Sequence, residues 1–326
     1  QVVKNIVKYC IDREIPEVVF CGDLYHTSNV SAEVSQAAYE AFKGFKENKI
    51  ALSLIVGNHD QSSRTGGTHS LSCVRGYGDV IATSMVPADG KTIAGLNATF
   101  LPYTDDKEQL QAWLKGFRDG LLFMHQGVSG VEVNSKGFTL NEILTSDMVP
   151  SRCTLGLSGH YHTFKPVTSN LIIPGSTVQL NWGDEGEPRG WLDVSIDDGQ
   201  VQEITFVESQ ASKFITIHEQ DFDSNGENNP LPNLHGNFVR VITEGAHSPE
   251  EISRMVLESF GGASCEIKAA LRQDASFEKT KNITVASLNE VVYSFANTRE
   301  KAGIISAYDK EVGEQLLKGS YHVPHL

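Results

Sequence analysis

The sequence predicts an α/β protein in which a main domain with strands buried between helices is followed by a smaller α+β unit. As far as about residue 207, short apolar runs alternate with helical stretches, which is typical of an α/β core. Four of these runs lead directly into polar side chains that are able to bind metal ions. The composition then changes, because residues 221–237 are rich in Asn, Asp, Gly and Pro and predict a loop within the smaller unit.

The main domain is predicted from its apolar runs and from the helical stretch between the first two. Ser31–Asn48 carries apolar residues at helical spacing, so we predict a helix there. Residues 171–207 predict consecutive strands, with Asp197-Asp198-Gly199 as the turn of a hairpin between Trp191–Ile196 and Val201–Val207. Four apolar runs are predicted to be buried strands, namely Val18–Cys21, Leu52–Val56, Leu121–Met124 and Thr154–Leu157.

The smaller unit is predicted from a helix whose start and end are both well marked. Ser248 is a suitable N-cap, Pro249 suits the first helical position, and Glu251 completes a capping box. Gly261 and Gly262 are expected to end this helix. The predicted strands around it are Phe214–Ile217, Phe238–Thr243 and Cys265–Ala269.

These elements divide the chain into three predicted parts. Residues 1–207 form the main domain, residues 208–284 the α+β unit, and residues 285–326 a C-terminal helical segment. The apolar stripe of Val285–Leu317 predicts helices that either pack on their own domain, the more common case, or dock a partner protein.

Composition excludes several classes of protein. The 326 residues are 40% hydrophobic, no apolar run is long enough to cross a membrane, and no secretory signal opens the chain. The five cysteines are scattered and include no CxxC pair, which argues against a disulfide framework and a zinc-thiolate site. We therefore expect a reducing, cytoplasmic location. The formal net charge of -14 argues against a stand-alone nucleic-acid binder.

The side chains that could bind metal ions or act in catalysis follow the ends of four predicted strands. Because ligands of α/β sheets bind at the carboxyl ends of strands, we expect these side chains to converge. Asp23 offers a carboxylate suited to bridging two cations, Asn58 offers a neutral oxygen, and histidines supply nitrogen. This mixed set suits Mn²⁺, Fe²⁺ or Zn²⁺ better than Mg²⁺ or Ca²⁺. The four segments are Gly22-Asp23, Gly57-Asn58-His59-Asp60, His125 and Gly159-His160-Tyr161-His162.

The backbone of these segments also carries information. His160 and His162 are two residues apart, so in extended backbone both would face the same side. That spacing would let the two imidazoles serve two ions about 4 Å apart. Gly22, Gly57 and Gly159 would let the backbone turn tightly at the strand ends.

A site with two metal ions is suited to phosphoester hydrolysis. It generates hydroxide from bound water and stabilises charge on the phosphoryl group. His59, beside Asn58, is predicted to protonate the leaving oxygen, with Asp60 holding its tautomer and orientation. Arg64 follows this loop and either contacts a phosphate oxygen or is a solvated loop arginine.

In order and type, the four segments resemble the calcineurin-like metallophosphoesterase superfamily, and the resemblance covers residues 1–207. Within it, Pro174–Thr177 and Trp182–Gly190 resemble the stretch that follows G-H-x-H in SbcD-type and Mre-type nuclease subunits, those of bacteriophages especially. The resemblance implies a four-layer α/β/β/α core followed by a smaller C-terminal α+β cap, which would recognise DNA.

The resemblance also implies roles and partners. His59 would be the catalytic acid, supported by Asp60. The family cleaves DNA with Mn²⁺, as a homodimer that works with an SbcC-type ABC ATPase whose coiled coil docks on the C-terminal helices. The cytoplasm of a bacterium or a phage-infected cell is the implied location. The implied metal ligands are Asp23, bridging both ions, Asn58, His125 and His160, holding one ion, and His162, holding the other.

Two departures from the family pattern stand out. The family begins with a strand ending in Asp-x-His, and no such motif precedes Asp23. Since the chain opens at Gln1 inside a predicted helix, we expect upstream sequence to supply that motif. Second, His26 replaces an acidic residue usual in the family, which changes the surroundings of the metal site.

Two other functions stay open at this point. A calcineurin-like phosphatase or cyclic-nucleotide phosphodiesterase would need the same metal ligands and suits the acidic charge better, but it leaves the cap unexplained. If the Asp-x-His motif is truly absent, a non-catalytic scaffold subunit becomes the alternative.

Overall fold

A computed structural model describes residues 1–62, 68–82, 87–133, 137–222 and 231–270. Residues 1–270 form one compact unit, and all of the described residues belong to it. None of the helices in these ranges is both long enough and apolar enough to span a membrane. Arg64 and the C-terminal helical segment predicted at 285–326 lie outside the described residues.

The helices and strands of the described ranges alternate as the sequence predicts. The helices are α1 (Val2–Asp12), α2 (Ala32–Glu47), α3 (Lys107–Gly116) and α4 (Pro249–Arg254), the last continuing as a π-helical turn at Met255–Ser259. The strands are β1 (Glu17–Phe20), β2 (Ala51–Ile55), β3 (Asp79–Ala82), β4 (Ala88–Ile93), β5 (Leu96–Leu101), β6 (Gly120–Met124), β7 (Cys153–Ser158), β8 (Lys165–Thr168), β9 (Leu171–Ile173), β10 (Gly190–Asp197), β11 (Gln200–Glu208), β12 (Phe214–His218), β13 (Phe238–Thr243) and β14 (Ser264–Ala269).

The two larger sheets of the main domain position the site. Strands β1, β2 and β3 form a parallel sheet, and β4 to β9 form a mixed sheet in the order β4-β5-β6-β7-β9-β8. Strands β5, β6, β7 and β9 run parallel, whereas β4 and β8 pair antiparallel at the two edges. The carboxyl ends of β5, β6 and β7 therefore lie at one edge of the sheet, where a binding site is expected.

Side-chain packing arranges these sheets and helices in four layers. Helices α1 and α2 cover the three-stranded sheet through Val7, Phe42 and Phe45. Ile55 of β2 packs against β5, β6 and β7, so the two sheets face each other. Along β6 the side chains alternate, because Phe123 faces the other sheet whereas Met124 packs with α3. The predicted α/β/β/α order of the core is therefore confirmed.

Local signals in the sequence account for several of these elements. The helix predicted over Ser31–Asn48 is present as α2, and the Ser31 hydroxyl caps it by accepting a hydrogen bond from the Val34 N–H. The predicted hairpin forms between β10 and β11. Its turn residues Asp198 and Gly199 both have positive φ, 46° and 70°, which is the conformation that a two-residue hairpin turn needs.

The predicted strands and helix after residue 208 are also present. Strands β12, β13 and β14 form a separate parallel sheet. Ser248 and Glu251 make the predicted capping box at the start of α4, with Pro249 at the first helical position. The division of the chain at residues 207 and 284, and the assignment of this sheet as a cap, stay predictions.

The segment between β9 and β10 holds the edge of this small sheet. Every second backbone N–H of edge strand β12 points away from β13 and needs another partner. Gln179 Oε1 accepts a hydrogen bond from Phe214 N at 2.7 Å, and Glu185 accepts hydrogen bonds from both the N–H and the hydroxyl of Thr216. Trp182 packs edge-on against Phe214. The stretch that resembles SbcD-type nucleases thus fixes β12.

Candidate metal centre

Three of the predicted ligands converge where strands of both sheets end. Asp23 follows β1, His125 follows β6, and His160 follows β7. One ligand atom from each of the three lies within 4.8 Å of the other two. The convergence predicted from the strand ends is therefore found for these residues.

Asn58 brings a fourth donor to the same point. Its Oδ1 lies 3.0 Å from His125 Nε2 and 3.0 Å from His160 Nδ1. Asn58 follows β2, so the three-stranded sheet contributes Asp23 and Asn58 while the mixed sheet contributes both histidines. The centre lies across the carboxyl ends of the two facing sheets.

The surroundings of His125 test whether this donor set fits a metal ion. His125 Nδ1 lies 2.6 Å from the carbonyl oxygen of Cys21, so this nitrogen carries the proton and donates it. The opposite nitrogen, Nε2, lies 3.1 Å from Asp23 Oδ2 and also faces Asn58 Oδ1. A bare lone pair on Nε2 would face two oxygen atoms, so this nitrogen needs either a proton or a metal ion. Metal-bound histidines usually donate their other N–H to a carbonyl or carboxylate in this way, so the residues fit a divalent ion.

Asp60 lies behind the centre and holds the backbone. Its carboxylate is fully buried. It accepts hydrogen bonds from the N–H groups of Asp23 at 2.8 Å, Gly57 at 3.0 Å and Tyr25 at 3.3 Å. Asp60 therefore ties the loop after β1 to the loop after β2.

His59 stands at the exposed side of the same loop. Its backbone N–H donates to Asp23 Oδ1 at 2.9 Å. Its ring stacks on the ring of His26, with 5.5 Å between centroids and 14° between planes. Within the described ranges, the hydrogen bonds of Asp60 go to backbone N–H groups rather than to the His59 ring, so the expected support of that ring by Asp60 stays a prediction.

The backbone at two of the proposed ligands lies in the left-handed region. Asp23 has φ 56° and His160 has φ 84°, values that residues with a Cβ adopt rarely. Such strain is common at functional sites. The extended backbone expected through His160 and His162 is therefore wrong at His160. Strand alternation therefore cannot support the shared orientation of His160 and His162, which stays a prediction.

His162 lies beside the centre, and the residues around it differ from those around the three clustered ligands. It is not one of the three clustered ligands, and its role as a ligand stays a prediction. Burial lowers the pKa of its imidazole, whereas the nearby Asp184 carboxylate raises it. Asp184 in turn pairs with the buried Arg189 at 2.9 Å. The backbone carbonyl of His162 accepts a hydrogen bond from Ser176 N at 2.9 Å.

The predicted glycines are needed for two different reasons. Gly22 has φ 91°, which fits the tight turn expected there. At Gly57 the reason is space, because a Cβ would lie 2.1 Å from Asp23 Oδ1. A Cβ at Gly159 would lie 2.2 Å from the carbonyl oxygen of Cys21. Any larger residue would push apart the strand ends that form the centre.

Burial and neighbouring charge fix the protonation of the centre. Burial opposes ionisation of Asp23, but the hydrogen bond and charge of His125 outweigh it and lower the pKa of Asp23. Burial also opposes protonation of His125, and the hydrogen bond and charge of Asp23 reverse this and raise its pKa. Burial and the charge of His125 lower the pKa of His160 to about 4. His160 is therefore neutral at physiological pH and its lone pair is available to a metal ion.

Two residues near the centre were missed in the sequence. The ring of Tyr103 lies against the rings of both His160 and His125. Glu142 Oε1 lies 3.9 Å from His160 Nε2. Tyr103 comes two residues after β5, so its place at a strand end could have revealed it, whereas Glu142 lies in a loop that carries no such signal.

The fold and this centre define a metal-dependent phosphoesterase. The profile of the calcineurin-like phosphoesterase family matches residues 1–165, just over half of the chain. The chain belongs to that family, and the resemblance expected from its strand-end motifs is confirmed.

Two similar proteins indicate the branch of the family that this chain resembles. The chain is 23% identical to "DNA double-strand break repair protein Mre11" of Methanocaldococcus jannaschii, over 92% of this chain and 86% of that protein. It is 23% identical to the SbcD subunit of the nuclease SbcCD of Staphylococcus epidermidis, over 76% of this chain and 74% of that protein. These names support the expected SbcD-type and Mre-type branch of the family.

Proposed function

We propose that this chain is the nuclease subunit of a DNA-repair or recombination complex and hydrolyses phosphodiester bonds with Mn²⁺ at a two-metal site. The observation that carries the proposal is the cluster of Asp23, His125 and His160 with the Asn58 amide oxygen between the imidazoles. Relatives named as a double-strand break repair protein and as a nuclease subunit support DNA as the substrate.

Different residues of this chain would bind the metal ions and donate the proton. Asp23, Asn58, His125 and His160 would hold one ion, Asp23 would also reach the second, and His162 would bind there. Metal ions held by these residues would lower the pKa of a bound water and offset negative charge on the phosphoryl group. His59 would protonate the leaving oxygen.

The position of His59 supports its role as the acid. Its backbone N–H is fixed to the Asp23 carboxylate, so the ring stays beside the centre. The residue is exposed, which leaves the ring accessible to a substrate phosphate. A general acid must reach the oxygen that it protonates, and an exposed imidazole at the rim of a metal centre meets that condition.

The proposal also includes the complex in which this chain would work. The name of the Staphylococcus epidermidis relative makes it one component of the nuclease SbcCD. We infer a corresponding partner for this chain, an SbcC-type ABC ATPase with a coiled coil, and a homodimer of the nuclease subunit. Residues 208–284 would act as the cap that recognises DNA.

The test uses the protein as its gene encodes it, with labelled linear double-stranded DNA and Mn²⁺. We expect Mn²⁺-dependent cleavage in the wild type and a loss of about 100-fold or more in His59→Ala, the size of a general acid's contribution. Mn²⁺ binding, measured separately, should be unchanged in that variant, because His59 is not assigned as a ligand. Gln36→Ala, at an exposed position of α2, is the control and should cleave like wild type.

Two results would decide against the proposal. Hydrolysis of small phosphomonoesters by protein that leaves DNA uncut would favour the phosphatase alternative, which the acidic net charge suits better. Absence of both activities from protein that binds Mn²⁺, even with an SbcC-type partner present, would favour a non-catalytic subunit.

A further inference from the structure

One aromatic side chain lies against both imidazoles of the metal centre. The ring of Tyr103 stacks on His160, with 5.7 Å between centroids and 27° between planes. The same ring meets His125 edge-on, at 6.3 Å and 68°. The two imidazoles are themselves nearly perpendicular, at 85°. Tyr103 therefore contacts one ring by its face and the other by its edge, a contact pattern that fixes their relative orientation.

The backbone directly after Tyr103 is held by a buried glutamine. Gln126 is 2% exposed. In the amide orientation that satisfies both of its polar atoms, it donates to the carbonyl oxygen of Thr104 at 3.1 Å and accepts from Thr104 N at 2.8 Å. Gln126 directly follows His125 in the chain. The position of Tyr103 is thus coupled to the residue next to one of the ligands that its ring contacts.

A second buried tie extends this connection to His160. The Ser158 hydroxyl donates to the carbonyl oxygen of Gln126 at 2.7 Å and accepts from Gln126 N at 3.1 Å. Ser158 is fully buried and precedes His160 by two residues. The chain ends of β5, β6 and β7 are therefore linked side by side through Thr104, Gln126 and Ser158. Tyr103 lies on this linked frame rather than on a free loop.

His160 needs such support more than His125 does. His125 is anchored at both ring nitrogens, by Cys21 O on one side and by Asn58 and Asp23 on the other. The described hydrogen bond of the His160 ring is the one to Asn58 Oδ1, and Glu142 lies 3.9 Å from its other nitrogen. Contacts with the ring face thus have a larger share in fixing its orientation.

We propose that Tyr103 is a positioning residue of the metal centre, whose ring holds the His160 and His125 imidazoles in the orientation that binds the ion. The inference rests on the proposed metal site and deepens it, because it assigns a role in metal affinity to a residue that offers no ligand. The observed ring contacts are the basis for this role. Residues that orient metal ligands typically change metal affinity about tenfold or more when they are removed.

The test is a titration of the full chain with Mn²⁺ alone, with free Mn²⁺ followed by electron paramagnetic resonance. We expect Tyr103→Ala to bind Mn²⁺ about 3- to 10-fold more weakly, the equivalent of one to two aromatic contacts. Tyr103→Phe keeps the ring and should bind like wild type. Tyr39→Ala, which removes an exposed tyrosine of α2, is the matched control and should bind like wild type. The thermal midpoint without metal identifies any variant that is misfolded.

A double variant separates positioning from a general loss of structure. In a His160→Ala background, Tyr103→Ala should weaken Mn²⁺ binding by less than half of its effect in the wild type, because the main ring it holds is gone. Equal weakening in both backgrounds, or wild-type affinity in a folded Tyr103→Ala, would overturn the inference. Tyr103→Leu replaces the alanine variant if that protein does not fold. Absence of Mn²⁺ binding by the wild type would instead contradict the proposed metal site itself.

Discussion

Two buried carboxylates of this protein each collect backbone N–H groups, one behind the metal centre and one in the small sheet. Asp60 accepts hydrogen bonds from three N–H groups that belong to two separate loops. Glu219 accepts from the Thr243 hydroxyl, from the N–H groups of residues 244 to 247 and from the His247 ring. The geometry is similar, but the pKa values of the two groups are shifted in opposite directions.

Burial dominates at Asp60, whereas hydrogen bonds dominate at Glu219. Burial raises the pKa of Asp60 to about 6, and the Asp23 carboxylate beside it also favours the protonated form, against the backbone hydrogen bonds. The Thr243 hydroxyl lowers the pKa of Glu219 to about 2, and the N–H groups of the following turn add to this against the effect of burial. The loop after β13 satisfies Glu219, whereas Asp60 adjoins a second carboxylate. Paired acids beside histidines are typical of a cation site, so the contrast supports the proposed role of Asp60 beside the metal centre.

The contrast predicts its largest effect for Asp60→Asn. An asparagine offers one acceptor oxygen, so at least one of the three backbone N–H groups would lose its partner and face an amide N–H₂ instead. We expect a loss of about 1–3 kcal/mol in the free energy of unfolding. We also expect Mn²⁺ affinity to fall about tenfold or more, because the loops that carry Asp23 and Asn58 are no longer tied together. Denaturant unfolding and an Mn²⁺ titration measure the two effects.

Glu219→Gln tests the second of the two carboxylates. It should lower the thermal midpoint yet leave Mn²⁺ affinity unchanged, since the described hydrogen bonds of Glu219 go to the loop after β13 and not to the strand ends of the centre. Because the folded-state pKa of Glu219 lies below its unfolded value, its stabilising effect is present above the unfolded pKa of about 4.3. That effect is lost as the pH falls towards about 2. The stability difference between wild type and variant should therefore shrink between about pH 4 and pH 2 in acid-unfolding curves.

Two results would count against this interpretation of the two carboxylates. A Glu219→Gln protein with weakened Mn²⁺ binding would mean that the small sheet acts on the metal centre. An Asp60→Asn protein with full Mn²⁺ affinity would mean that the loops keep their places without the three hydrogen bonds.

The sequence predicted the parts of this protein that depend on local patterns. Apolar runs located β1, β2, β6 and β7, and the residues after them supplied Asp23, Asn58, His125 and His160 of the centre. The capping box of α4 and the turn of the β10–β11 hairpin were likewise readable, because both depend on residues a few positions apart.

Features that depend on long-range contacts could not be predicted in this way. The tie between Asp60 and Asp23 joins residues 37 positions apart, and the contact between Tyr103 and His160 joins different strand ends. The left-handed backbone of His160 could not be predicted from the strand periodicity either, since a spacing of two residues does not reveal φ. Tertiary packing determines each of these, and no local pattern encodes it.

The smallest effect is expected where the small sheet meets the segment before β10. Glu185 accepts from both the N–H and the hydroxyl of Thr216, so Glu185→Ala should release that N–H, while Phe214 N keeps its bond to Gln179. A net contribution of about 0.5–1.5 kcal/mol per hydrogen bond predicts about 2- to 10-fold faster amide exchange at Thr216, with Phe214 as the internal control.

Glu185→Gln retains an acceptor and should exchange nearly as slowly as wild type. Mn²⁺ affinity should stay at the wild-type value in both variants, because Glu185 supports β12 and not the strand ends of the centre. Faster exchange confined to Thr216 would mean that each side chain holds one N–H of the edge independently. Faster exchange along the whole of β12 would mean instead that Glu185, Gln179 and Trp182 hold the strand as one cooperative unit, and the small sheet would then depend on the main domain for its order.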